Sequence, residues 1–370
     1  MSEPEAGVPT DPGDRLPEDL LALTAALVDQ PSESRAERPL VDWIEAELRV
    51  LDHLEVTRVG DNLVARSDLG LPQRVILAGH TDTVPANGNA RARIEGDTLW
   101  GVGSTDMKGG LAIQLALARA VPGTAVDVTY VFYAREEVAA VESGLGELFE
   151  QRPDLLAGDV AFIGEPTGGS VEAGCQGTLR GVVTLKGKRA HPARPWMGRN
   201  AIHRVAPVLE AITTAPLREP IVDGLEFRES LQALGVEGGV AGNVVPDEVT
   251  LTLNHRFAPD RSPAEAEAFV RSVLAGVLED GDRFEVTDVA AGALPQLSNP
   301  LLAAFVGRAD LSVDAKLGWT DVARFAAHEI PAVNFGPGDA LLAHTAEERL
   351  ERAPLEWCFR VLRALVTQGL

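Results

Sequence analysis

Four apolar runs of the sequence end just before histidine or acidic side chains, and this repeated junction constrains the fold more than any other feature. Runs of this length and composition are typical of buried strands in an α/β sheet. Because parallel strands of an open sheet end at one edge, where ligands bind, we expect the polar residues after the runs to converge. The runs and the residues that follow them are 75–79 with His80 and Asp82, 128–133 with Glu136 and Glu137, 160–164 with Glu165, and 332–335 with His344.

Strand signals alternate with helix signals up to about residue 174, which is the βαβ pattern of a mainly parallel sheet. Predicted helices cover 18–28, 38–51 and 107–120, and Asp106 stands where an N-cap of the third helix would be. Residues 1–16 are predicted to form a disordered acidic tail.

A different pattern fills residues 176–290, where half-buried strands with period two and two helices follow the order β-α-β-β-α-β. This order is typical of a ferredoxin-like α+β unit, and Ser262-Pro263-Ala264-Glu265 predicts a capped start of its second helix. Since His344 is needed beside His80, the flanking segments should form one domain. We therefore predict an α/β catalytic domain of residues 1–175 and 291–370, with residues 176–290 inserted into it.

Size, charge and cysteine content exclude several classes of protein. A chain of 370 residues exceeds the ~250 to 300 at which single cores stop growing, so two domains are expected. The net charge of −22 argues against nucleic acid or an anionic membrane as partner, because both need a basic surface. Cys175 and Cys358 are isolated, which predicts two buried small side chains and no disulfide. Without a signal-like start or a membrane-length apolar run, we expect a cytoplasmic protein.

The polar residues that should meet at the sheet edge predict a metal site. Asp106, in the segment 103–110, can join them from the start of a helix. Residues two apart along a strand point the same way, so Asp82 can accept the second ring N–H of His80 and fix its tautomer. Nitrogen and oxygen ligands without thiolate suit zinc best, with cobalt or manganese as substitutes.

The acids are too many for one zinc ion, which predicts two. If one carboxylate bridges, five ligands serve two ions, and a water between them is activated. The candidate ligands are His80, Asp106, Glu137, Glu165 and His344. Glu136 is left over by this count and is the natural general base, which takes a proton from the water and passes it to the leaving nitrogen.

These residues lie in motifs that resemble those of the zinc amidohydrolases, the family that includes aminoacylase, acetylornithine deacetylase, carboxypeptidase G and succinyl-diaminopimelate desuccinylase. The motifs follow in the same order over nearly the whole chain: Gly79-His80-Thr81-Asp82, Ser104-Thr105-Asp106-Met107-Lys108-Gly109-Gly110, Glu136-Glu137 and Gly164-Glu165-Pro166-Thr167. The resemblance implies a zinc-exopeptidase-like catalytic domain in which Asp106 bridges two zinc ions. It implies His80 and Glu165 on one ion and Glu137 and His344 on the other. The chain departs at Val102, where the family more often has arginine, a change expected to affect packing and not ligation.

The inserted segment also resembles the family. Gly187-Lys188-Arg189-Ala190-His191-Pro192 is similar to the lid motif whose histidine reaches the active site of the partner subunit. The resemblance therefore implies a lid and dimerisation domain over residues 176–290. It further implies a homodimer in which His191 stabilises the oxyanion in trans.

Three segments are most similar to the actinobacterial desuccinylases of this family, namely 174–180, 254–260 and 318–325. The resemblance implies removal of succinate from N-succinyl-LL-2,6-diaminopimelate, a step of lysine and diaminopimelate synthesis. The nearest alternative is the same chemistry on acetylornithine or a small peptide, and the alternative of another class is a non-catalytic zinc-binding protein of this fold. A diacid substrate needs an arginine clamp in so acidic a protein. The candidate substrate-binding residues are Arg180, Asn243 and Arg256.

Overall fold

The computed structural model describes residues 16–120 and 123–369, so residues 1–15 of the predicted acidic tail lie outside the described part. Its strands are β1 Glu55–Val59, β2 Asn62–Arg66, β3 Arg74–His80, β4 Arg93–Glu95, β5 Thr98–Trp100, β6 Asp127–Tyr133, β7 Val160–Ile163, β8 Val171–Ala173, β9 Gly177–Lys186, β10 Ile221–Val222, β11 Leu225–Glu226, β12 Ser230–Gly238, β13 Glu248–Phe257, β14 Arg283–Ala290, β15 Val313–Ala315, β16 Ala332–Asn334 and β17 Arg349–Glu351. Its α-helices are α1 Leu20–Val28, α2 Arg38–Arg49, α3 Gly109–Ala120, α4 Gly144–Gln151, α5 Val205–Thr213, α6 Pro263–Leu274, α7 Pro300–Arg308, α8 Val322–Ala327 and α9 Arg352–Gln368.

The larger sheet has the strand order β1-β2-β6-β3-β7-β16-β8-β15. Its middle strands β6, β3, β7 and β16 are parallel neighbours, with His80 opposite Tyr133 and both Ala78 and Asn334 opposite Ile163. The four apolar runs of the sequence are therefore adjacent strands. Their carboxyl ends share one edge, as predicted, and the polar residues that follow them leave the sheet on that side.

Helices cover both faces of this sheet. Val75 and Leu77 of β3 belong to a buried apolar cluster with α1, α2, α3 and α9. The alternating residues Ile76 and Ala78 belong to a second cluster with α4 and α8. Within residues 16–120 and 123–369, no helix is both long enough and apolar enough to cross a membrane.

The smaller sheet is antiparallel, with the order β12-β13-β9-β14, and α5 and α6 pack on one face of it. This is the ferredoxin-like arrangement, and Ser262 and Glu265 form the predicted capping box of α6. The chain enters and leaves the unit at Cys175 and Ala293, which exchange two backbone hydrogen bonds of 3.0 Å. The separate sheet and its own apolar cluster support the proposed division into residues 1–175 with 291–370, and 176–290. Cys175 and Cys358 are free and buried, as predicted.

The helix predicted over 107–120 begins later than expected, and Asp106 does not cap it. A π-helical turn, Ser104–Lys108, precedes α3, and within it Asp106 has φ −118° and ψ 93°. The backbone N–H groups of Thr105 and Asp106 donate to the Glu348 carboxylate. The prediction of an N-cap is wrong, because the N–H groups that such a cap would accept, those of Lys108 and Gly109, donate to the carbonyl oxygens of Gly103 and Ser104. The Asp106 carboxylate is left free to face two histidines.

Candidate metal centre

Four of the five predicted metal ligands are in direct contact at the carboxyl edge of the larger sheet. Asp106 Oδ1 lies 3.1 Å from His80 Nε2, and Asp106 Oδ2 lies 3.3 Å from His344 Nε2. His344 Nε2 also lies 2.8 Å from Glu137 Oε1. The ligand atoms of His80, Asp106 and Glu137 lie within 4.8 Å of one another. Asp106 thus contacts the two imidazoles through different oxygens, as a carboxylate between two metal ions would.

The histidines are held in the charged form by the acids around them. Burial opposes a positive charge on His80, but hydrogen bonds with Asp106 and Asp82 raise its pKa well above the usual value. Hydrogen bonds with Asp106 and Glu137 raise the pKa of His344 to about 10. Without a metal ion, each imidazole therefore carries both ring protons and a positive charge at neutral pH. A metal ion binds the neutral ring, so it must displace one of these protons.

Glu165 and Glu136 add two more acids beside this cluster. Burial, reinforced by the negative charge of Asp106, raises the pKa of Glu165 to about 8. Burial also raises the pKa of Glu136 well above its usual value, and the charges of Glu165 and Asp321 add to the shift. Acids that repel one another in a buried place are stabilised by divalent cations. The residues present therefore fit a metal site of nitrogen and oxygen ligands.

Asp82 holds the loop that carries Glu136 and Glu137. Its Oδ1 accepts the N–H of Glu136 at 3.0 Å, and its Oδ2 accepts the N–H of Glu137 at 3.1 Å and the O–H of Ser34 at 2.8 Å. Burial works against ionisation, yet His80 and the Glu136 N–H lower the pKa of Asp82 to about 2.

The contact between Asp82 and His80 differs from the predicted one. The Nδ1 atom of His80 lies 3.0 Å from the backbone oxygen of Asp82 and 3.5 Å from its Oδ1. The carbonyl is therefore the nearer acceptor for the ring N–H. The carboxylate oxygens make their shorter contacts with the N–H groups of Glu136 and Glu137. The prediction assumed that strand geometry continues to Asp82, but β3 ends at His80.

Two supporting residues were not singled out as site residues from the sequence. Glu348 is buried and accepts the N–H groups of Thr105 at 3.0 Å and Asp106 at 3.1 Å, and burial raises its pKa to about 7. Lys108 is also buried, and its Nζ donates to the carbonyl of Leu27 at the end of α1 at 3.1 Å. Lys108 stands in the motif 104–110, but no local pattern could have revealed the role of either residue, because their partners are distant in the sequence.

The remaining predicted site residues lie on the ferredoxin-like unit. Arg180 on β9 is in register with Asn254 on β13, whose Oδ1 accepts a hydrogen bond of 3.2 Å from Arg256 Nε. Burial and the neighbouring charge of Arg180 lower the pKa of Arg256. His191 and Asn243 lie in exposed loops after β9 and β12. Across residues 16–120 and 123–369, no hydrogen bond or ion pair joins these four predicted residues to the metal cluster of the same chain.

The α/β domain has a cluster of histidines and carboxylates at the carboxyl edge of its sheet, and its chain is interrupted by a ferredoxin-like unit. This combination defines a metal-dependent hydrolase. The chain belongs to peptidase family M20/M25/M40, whose sequence profile matches residues 76–368. The matched range includes the five ligand candidates and the whole inserted unit.

Two relatives agree with this assignment, and a solved structure has the same fold. The chain is 50% identical over 333 residues to DapE of Mycobacterium tuberculosis, provisionally named a succinyl-diaminopimelate desuccinylase, covering 90% of this chain and 93% of that protein. It is 44% identical over 353 residues to the succinyl-diaminopimelate desuccinylase of Corynebacterium glutamicum, covering 93% and 94%. A tripeptidase of Staphylococcus aureus has the same fold, with a TM-score of 0.75 at 21% identity over 95% of this chain and 97% of that chain. The predicted family and fold are confirmed.

Proposed function

We propose that the protein hydrolyses N-succinyl-LL-2,6-diaminopimelate to succinate and LL-2,6-diaminopimelate. The names of the two relatives with 50% and 44% identity support this substrate. The observation that carries the chemistry is the contact of Asp106 with both histidines, at 3.1 Å through one oxygen and 3.3 Å through the other.

Two zinc ions per chain fit the ligand set, and cobalt is a suitable substitute. His80 and Glu165 would hold one ion, Glu137 and His344 the other, with Asp106 between them. Two ions at such a site supply a water of lowered pKa and positive charge for the oxygen of the scissile carbonyl.

Glu136 is the proposed proton carrier of the reaction. Its carboxylate takes a proton from the attacking water and delivers it to the leaving nitrogen, so that an amine is released. The raised pKa of Glu136, caused first by burial, supports a carboxyl that can hold the proton between the two steps. Asp82 serves catalysis by fixing the N–H groups of Glu136 and Glu137 through its two oxygens.

The substrate has three carboxylates to be held in a protein with a net charge of −22. Arg180 and Arg256 are the proposed partners, and their placement one beside the other on the sheet supports a site for an anion. Asn243 is the third proposed contact.

His191 is proposed to act in the active site of a second subunit, with residues 176–290 serving as lid and dimerisation domain. β12 is the edge strand of the smaller sheet, and its Leu234 and Val236 are 65% and 49% exposed. Exposed apolar side chains on an edge strand support a protein interface there.

Substrate choice tests this proposal. A succinyl group carries a carboxylate that an acetyl group lacks, and a lost charge-assisted hydrogen bond costs about 1.5 to 3 kcal/mol. We therefore expect kcat/KM for the succinylated substrate to exceed that for acetylornithine by a factor of at least ~10. Arg256→Ala should lower the first value by at least ~10-fold and leave the second within about twofold.

The matched control is Arg283→Ala, which removes an exposed arginine of β14 whose ion-pair partner is Glu285. Both kcat/KM values should stay at the wild-type level in this variant. Equal or higher efficiency with acetylornithine in the wild-type protein would contradict the proposed substrate.

A further inference from the structure

Four consecutive backbone N–H groups after β6 each donate to a side-chain oxygen from another part of the chain. Ala134 donates to Asn62 Oδ1 at 2.9 Å, and Arg135 donates to Glu37 Oε1 at 3.2 Å. The next two N–H groups donate to the two oxygens of Asp82 at 3.0 and 3.1 Å. The loop that carries the proposed base and a proposed ligand is therefore held by side chains rather than by a sheet ladder.

Of the three side chains that accept these N–H groups, Glu37 is the one whose position is least explained by local structure. It stands at the N-cap position of α2, yet its side chain makes no capping hydrogen bond to that helix. The side chain is instead buried, with 1% exposure, and Oε1 also accepts the N–H of Arg35 at 2.8 Å. Burying a carboxylate costs free energy unless hydrogen bonds compensate for it. Here two backbone amides compensate in part, one of them in the loop after β6. Within the described residues Oε2 has no hydrogen-bond partner, and burial raises the pKa of Glu37.

Arg135 is the residue of this loop that most needs an external restraint. Its φ of 61° is in the left-handed region, which costs a residue with a Cβ atom free energy. Its side chain is tied down as well, since Nε donates to the Glu142 carbonyl at 2.7 Å and a terminal nitrogen lies 2.8 Å from Glu147 Oε2. Glu136 follows directly, so the conformation at Arg135 sets where the Glu136 side chain begins.

We propose that Glu37 is a positioning residue for hydrolysis, which holds the Arg135 N–H and thereby places Glu136 and Glu137 in the metal centre. The proposal rests on the proposed function, because it assigns those two glutamates their roles. The hydrogen bonds of the Glu37 side chain go to the N–H groups of Arg35 and Arg135, and within the described residues none goes to a proposed metal ligand. Its effect passes through the geometry of the loop, where a displacement of ~1 Å can cost a factor of ~100 in rate.

Three substitutions separate position from charge. Glu37→Gln keeps an oxygen at the place of Oε1 and removes the charge, whereas Glu37→Asp keeps the charge and withdraws the oxygen by one methylene. Glu37→Ala removes both. We expect Glu37→Asp and Glu37→Ala to lower kcat by roughly 10- to 100-fold with KM within about twofold, and Glu37→Gln to stay within about threefold in kcat.

Asp127 is the first residue of β6 and provides the matched control, because it lies at the end of that strand opposite to the loop. Its buried carboxylate accepts the N–H groups of Leu69 at 2.8 Å and Leu71 at 2.9 Å, the same kind of contact in a loop away from the metal centre. Asp127→Ala should reduce the free energy of unfolding and leave kcat of the folded protein within about twofold of wild type.

Zinc affinity, measured by competition with a chelator, gives a readout that does not need the substrate. Because the loop carries Glu137, Glu37→Asp and Glu37→Ala should weaken zinc binding by about 10-fold or more, and Asp127→Ala should not. If the wild-type protein fails to cleave the succinylated substrate while these two variants still lose zinc, the proposed function is wrong and the positioning role stands.

Three results would overturn the proposal. Wild-type kcat and zinc affinity in Glu37→Asp would show that the contact is not needed. An equal loss in Glu37→Gln would show that the charge matters instead of the position. An equal loss of kcat and zinc affinity in Asp127→Ala would show that the effect comes from a general loosening of the fold.

Discussion

At the scale of single residues, Glu136 and Glu137 are neighbours in sequence with different proposed roles. Glu137 contacts His344 at 2.8 Å, whereas the Glu136 side chain makes no such contact and its pKa is raised by burial. Glu136→Gln should therefore lower kcat by roughly a thousandfold while both metal ions remain bound.

Turnover and metal content of the purified variant check this expectation together. Glu150→Gln is the control, since it makes the same chemical change at an exposed position of α4. A Glu136→Gln protein that keeps more than about a tenth of wild-type turnover would contradict the role of base.

The site could be predicted only as far as its residues follow recognisable patterns. His80 and Glu165 were found because each follows an apolar strand, and Asp106 because it stands just before a helix. Glu37 and Glu348 were not found, since a carboxylate that binds distant backbone amides leaves no periodicity or spacing in the sequence.

At the scale of elements, the strands were the most predictable part of the molecule. β3, β6 and β7 are fully or nearly fully buried along their length, so each reads as an unbroken apolar run with clear ends. The strands of the smaller sheet alternate between apolar and polar residues, because helices cover only one face.

The segment before α3 was predicted less well, for a physical reason. The helical signal of 107–120 is real, but the turn Ser104–Lys108 is fixed by long-range contacts that override the local preference for a capped helix. Irregular backbone held by distant side chains is common at functional sites.

At the scale of the whole molecule, the proposed homodimer should share its active sites between subunits. His191→Ala and Glu136→Gln should each inactivate the homodimer. A mixed dimer has one site with both groups intact, so random exchange of equal amounts should restore about a quarter of wild-type activity.

Subunit exchange is verified first, by mass spectrometry of differently tagged chains. If His191 acts within its own subunit, no activity is restored after complete exchange. That result would contradict action in trans, while leaving the metal centre as described.

Proton and metal should compete for the same histidines. The pKa of His80 is raised by its acids despite burial, and that of His344 is raised to about 10, so both rings are protonated at neutral pH without metal. A metal ion needs the neutral ring, so zinc binding must release protons, and the apparent affinity should rise with pH until the raised pKa values are passed.

Calorimetric titration of zinc into the metal-free protein tests the two-metal site most directly. We expect saturation at about two equivalents per chain, net release of at least about one proton, and tighter binding at about pH 8 than at about pH 6.5. Saturation at a single equivalent, with no second binding event at either pH, would contradict a centre bridged by Asp106.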